Sequence, residues 1–150
     1  MKNLQLQFIL LACSILFFGC VEDPLDSHPT TSDLLAGDNL EGRSYFISSA
    51  EISLFNLNGT LKLQECVTDN TIIYYPSGRY EKNEGRTKCE IDNPPGSLGT
   101  WVVNSNETEI SIIINSEEEV WRIENVTSQG HTLTRTTTDG EITFILKRFD

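Results

Sequence analysis

Positive charge is scarce in this 150-residue chain: 11 Lys and Arg stand against 22 Asp and Glu, for a formal net charge of −11. A surface of that sign repels phosphate backbones, which excludes nucleic-acid binding through a basic face. It also argues against electrostatic docking on anionic lipid. Histidine is scarcer still, with only His28 and His131. A Ser/His/Asp triad would have to use His131, which follows Gly130 with no nucleophile elbow, and it reads as a satisfied surface histidine. No Gly-rich phosphate loop occurs. The expectation is therefore a protein that is not an enzyme and carries no cofactor. The apolar run Phe8 to Phe18 falls short of the roughly 20 residues that a permanent membrane helix needs. At 38% hydrophobic and 9% aromatic, the chain can still pack a core, and its length suits about one domain.

The apolar run does fit the core of a secretory signal, with Lys2 ahead of it. At its end, Leu16-Phe17-Phe18-Gly19-Cys20 resembles the lipobox of bacterial lipoproteins. In that family the thiol takes a diacylglyceryl group, the leader is cut before the cysteine, and the new amine is acylated. The resemblance implies a signal peptide at 1–19, a lipidated Cys20 and the membrane as a partner through that lipid. An ordinary leader that happens to contain a cysteine is the alternative. Glu22-Asp23 resembles the acidic tag that sends some Bacteroidota lipoproteins to the cell surface. Outer membrane is the implied location, at its periplasmic face or at the cell surface.

With Cys13 in the leader and Cys20 acylated, Cys66 and Cys89 remain in an oxidising compartment. One disulfide between them closes a loop worth roughly 3 kcal/mol. A metal site is the alternative, but neither histidine stands at ligand spacing from a cysteine, so no metal is expected. Residues 20–32, with Pro24, Pro29 and a Thr-Thr-Ser cluster, read as a flexible tether. The folded domain is expected over 33–150. It begins near Ser32-Asp33-Leu34-Leu35-Ala36-Gly37, which reads as one capped helical turn ending at glycine.

From Ser44 onward the pattern is strands and turns. Phe46, Ser48, Ala50 and Ile52 alternate weakly, then Asn56-Leu57-Asn58-Gly59 breaks the run. Further strands are expected at Thr71–Tyr75, Arg79–Glu81, Thr100–Val103, Ile110–Ile114, Val120–Glu124, Thr132–Thr136 and Glu141–Phe149. Asn93-Pro94-Pro95-Gly96 is a hard loop, and Asp139-Gly140 is a two-residue hairpin signal. About eight strands on short turns, each apolar mainly on one side, predict an all-β fold. The expected form is an eight-stranded antiparallel up-and-down barrel, with a β-sandwich as the competing architecture.

The stretch from Leu34 to the end resembles the lipocalin-like lipoproteins of Bacteroidota. The residues that carry the likeness are Leu34-Leu35-Ala36-Gly37, Tyr45, Cys66 followed by Asp69-Asn70, and Tyr75 before a turn with Gly78. Tyr80, Cys89, Gly99-Thr100-Trp101 and Trp121-x-Ile123 complete it. The resemblance implies a lipocalin-like barrel behind a lipid anchor.

Three functional readings are open. In the first, the barrel binds a small apolar or amphipathic molecule. Arg135, on the strand parity of Leu133, would clamp an anionic head group while Trp101, Trp121 and Phe144 line an apolar pocket. The plainer alternatives are a rim arginine paired with an acid and aromatics that fill a core. In the second, a filled barrel contacts another envelope protein or an external macromolecule, as an inhibitor would. Asp69-Asn70 and Glu117-Glu118-Glu119 read as turn chemistry and a solvated hairpin tip rather than cation sites. An enzyme, the third reading, has no residues to carry it.

Overall fold

The structure, a computed structural model, describes residues 28–55, 60–89 and 95–149. The expected leader, Cys20, the tether up to residue 27, the Asn56–Gly59 break and Asn93-Pro94 lie outside the described residues. The chain enters through a short helix, α1 (Thr31–Ala36). Its cap is Thr30, whose hydroxyl accepts from the Asp33 amide at 3.2 Å while the Asp33 carboxylate accepts from the Thr30 amide at 2.9 Å. Each satisfies one amide that a helix start leaves open. The Thr30 hydroxyl, which donates to the Asp33 carboxylate at 2.8 Å, and then the Thr30 amide hold the Asp33 carboxyl below its ordinary value. Gly37, at φ 71°, ends the turn at the stop expected from the sequence.

Among the described residues nine strands come next: β1 (Arg43–Leu54), β2 (Thr60–Lys62), β3 (Thr71–Tyr74), β4 (Arg79–Asn83), β5 (Gly96–Val103), β6 (Glu109–Ile114), β7 (Glu117–Thr127), β8 (Gly130–Thr136) and β9 (Gly140–Arg148). A second short helix, α2 (Glu65–Thr68), stands between β2 and β3. Sequential strands from β3 to β9 pair antiparallel, and β1 pairs with β3 on one side and β9 on the other. Eight strands thus close an up-and-down barrel, the architecture of lipocalins, and not a sandwich. The ninth, β2, pairs with the far half of β1, at Glu51 to Ser53, so β2 and β3 share one flank of that long strand with α2 between them. β2 exposes all three of its residues, so no apolar alternation announces it.

The first strand departs from its expected phase. Tyr45 and Ile47 face inward and Phe46 outward, yet further along Ala50 is buried. The register against β9 shifts between Ile47 and Ser49, so Ser48 is an extra residue, a β-bulge that resets the alternation. The Ser48 hydroxyl donates to the Ile145 carbonyl at 2.9 Å. Gly140 also differs from its expected role. The turn closes through the Thr137 amide on the Gly140 carbonyl at 2.7 Å, and Gly140 already lies in β9. A Cβ there would collide with the Ser53 carbonyl oxygen, so the glycine lets β1 approach.

The barrel has two unlike poles. At one, α1 lies across the opening: Leu35 is fully buried, and the Thr31 hydroxyl donates to Glu107 in the β5–β6 turn at 3.1 Å. The described part of the chain begins there, and its end returns there, where the Phe149 amide donates to the Ser44 carbonyl at 3.1 Å. The opposite pole carries the β6–β7 turn, where Asn115 and Ser116 both take positive φ (52° and 70°), the backbone of a two-residue hairpin turn.

Candidate functional site

The helix pole is filled. Tyr45 is fully buried, and its hydroxyl lies 3.1 Å and 3.0 Å from the Leu34 and Leu35 carbonyls, a shared donation to the end of α1. Arg43 Nη1 donates to the Leu34 carbonyl at 2.6 Å. Trp101 packs edge-on against Tyr74 at 5.3 Å and donates from Nε1 to the Tyr75 carbonyl at 3.0 Å. Its indole therefore belongs to this packed end and lines no void. His131 corrects an expectation, for it is no surface residue: it is 3% exposed, with its ring 4.8 Å from Tyr45 and 5.6 Å from Tyr74. The reason is register, since His131 shares the inward parity of Leu133 on β8. Nε2 lies 3.5 Å from the Tyr74 hydroxyl, and Nδ1 has no partner among the described residues. Burial pulls the imidazole down to about 3, so it is neutral at ordinary pH.

The other pole is hollow. A cavity of about 260 Å³ opens there, with Ile47, Ile72, Ile112 and Leu133 in its floor and Trp121 and Phe144 along one wall. The two rings stack at 5.1 Å and 27°. Their strand parity predicts an inward direction for both, and the structure brings them together. Lys82, Ser97, Asn115, Glu117 and Glu119 give the lining its polar part. Arg135 has the parity expected of it, yet its Nη1 meets the Glu119 carboxylate at 2.6 Å and its guanidinium lies 5.6 Å from the Trp121 ring centre. Glu119 also accepts from Trp121 Nε1 at 3.1 Å. Arg135 is thus paired to a half-exposed acid at the rim, lies beside the Trp121 wall, and is not among the lining residues.

Two lining residues, Tyr80 and Lys82, are not announced as such by the sequence. They occupy alternate positions on β4, so they share its inner face. Burial, with a smaller effect from the Glu119 charge, raises the Tyr80 hydroxyl well above its ordinary value. The register of Tyr80 against Tyr74, itself buried, is the signal that would have revealed the first. Lys82 on a hairpin strand gives no such sign.

The rim is braced by the Cys66–Cys89 disulfide, the pairing expected from the cysteine count, with a Cα–Cα distance of 5.1 Å. It fastens α2, whose Val67 lines the cavity, to the segment after β4. Asp69 and Asn70 each commit one side-chain oxygen to the same segment. Asp69 Oδ2 accepts from the Thr87 amide at 2.8 Å and Asn70 Oδ1 from the Gly85 amide at 3.1 Å. Among the described residues no three His, Cys, Asp or Glu side chains gather as a metal site, and no helix is long and apolar enough to cross a membrane.

The sequence matches no protein-family model and no curated protein. Among solved structures, the chain is similar to a lipocalin-like protein from Bacteroides uniformis, at 10% identity and a TM-score of 0.48, over 74% of this chain and 100% of that chain.

Proposed function

We propose that this protein is a membrane-anchored binding protein whose barrel holds one small apolar or amphipathic molecule at its open pole. The observation that carries the reading is the cavity of about 260 Å³, solvent-open at one end and floored by aliphatic side chains. Its size lies just below the usual range for ligand pockets, so the molecule is small. No catalytic step belongs to this reading. The lipobox-like Leu16–Cys20 supports a lipid on Cys20, and the acidic pair after it supports the outer membrane, at either face. Native mass spectrometry of protein isolated from its own host tests both parts. The expected result is a chain starting at Cys20 with added acyl mass, together with a second, dissociable small mass. An intact Met1 without lipid overturns the anchor. A bare barrel whose Trp121 emission ignores small amphiphiles overturns the cargo.

A second reading has one observation in its favour. Leu98, Val102, Ile113 and Val120 are exposed on neighbouring strands β5 to β7, on one outer face. An apolar outer face suits contact with another envelope protein. Loss of a co-purifying protein in a Leu98→Ser/Ile113→Thr variant, with no small molecule in either form, favours it.

A further inference from the structure

We infer that the cargo carries a carboxylate, received by the Tyr80 hydroxyl and the Lys82 ammonium, with its apolar part against Leu133, Trp121 and Phe144. This deepens the binding reading above and rests on it.

Tyr80 is 3% exposed and lines the cavity, yet its hydroxyl has no hydrogen-bond partner among the described residues. The hydroxyl reaches the cavity surface, so a guest there is placed to meet it where water otherwise would. Its ring neighbour at this depth is Tyr74 at 5.8 Å, and the Glu119 carboxylate acts on it through its charge without a hydrogen bond. Since burial keeps the phenol protonated, it donates, and its complement is an acceptor.

Lys82 lies two residues on, in the same cavity, and no carboxylate pairs with it among the described residues. Arg79, Arg122 and Arg135 each hold an acid in an ion pair. The acid that acts on Tyr80, Glu119, already has its charge met by Arg135 at 2.6 Å and by Trp121 Nε1 at 3.1 Å. Two donors, one of them cationic, therefore line the cavity beside an aliphatic floor, neither hydrogen-bonded to a side-chain acceptor among the described residues. A short amphipathic carboxylate answers both. Glu117, which lines the same cavity with no cationic partner among the described residues, is the feature a rival amine would use.

The test is calorimetric titration of the full chain in non-ionic micelles at pH 7.5 with hexanoate, 1-hexanol and hexylamine, probes of one chain length and three head groups. Hexanoate is expected to bind at least tenfold tighter than 1-hexanol, with hexylamine weakest. Tyr80→Phe and Lys82→Met should each weaken hexanoate fivefold or more and erode its preference over 1-hexanol. Each variant is first shown to be folded by near-ultraviolet circular dichroism and an unchanged thermal midpoint. Equal binding of hexanoate and 1-hexanol, tighter binding of hexylamine, or variants indifferent to the head group would overturn the carboxylate site and leave the carrier reading standing. If none of the three binds, both fall.

Discussion

His131 shows what a single side chain contributes here. Its imidazole is held neutral by burial, with a folded value of about 3 against roughly 6.5 in the unfolded chain. The folded state therefore binds fewer protons between those limits. The stability that this group supplies is complete above pH 6.5 and is lost as pH falls toward 3. Denaturant unfolding at pH 5.0 should show the protein about 2 kcal/mol less stable than at pH 7.5, and His131→Gln should remove most of that difference. An unchanged slope would assign the effect to other groups. Leu146 and Arg135 mark the two ends of the energetic scale. Leu146→Ala, at a site 1% exposed, should cost about 2–5 kcal/mol. Arg135→Ala breaks a half-exposed ion pair and should cost less than about 1 kcal/mol in the same denaturant midpoints.

Among the elements, eight of the strands were legible because turn residues bracket β-branched and aromatic runs, and local turns force antiparallel neighbours. β2 was not, since exposed Thr60, Leu61 and Lys62 carry no alternation. Nor was the bulge at Ser48, because a one-residue insertion leaves composition unchanged while reversing which side chains face in. Phe46 and Ala50 share a parity in the sequence for that reason, although Phe46 packs outside against Phe149 at 5.1 Å. The helix cap lies two residues earlier than Ser32, on Thr30. Thr30→Ala should lower stability by about 1 kcal/mol, read by thermal or denaturant melting. The disulfide matters more at the rim. Replacing Cys66 and Cys89 with serine should cost roughly 3 kcal/mol. Hydrogen exchange should quicken across α2 and the residues after β4, with β8 and β9 little changed. Uniform quickening would show that the bridge supports the whole barrel and not the rim.

At the scale of the molecule, the fold follows from one closure, the long ladder of β1 on β9. A chain ending at Thr138 loses it and leaves two long edges unpaired, so it should be recovered aggregated or without fixed tertiary structure by near-ultraviolet circular dichroism. The apolar half of the candidate site was visible in the sequence, because Trp121 and Phe144 lie on strands whose alternation is clean. The donors were hidden, because Tyr80 and Lys82 sit on a five-residue strand and face inward only once distant strands meet. The void itself is a sum over strand ends, such as small Ser97 beside bulky neighbours, and no local window contains it. The sealed base has a last consequence. Both described ends of the polypeptide leave from the helix-covered pole, so whatever grips the molecule by either terminus stands it like a cup on its foot, brim outward.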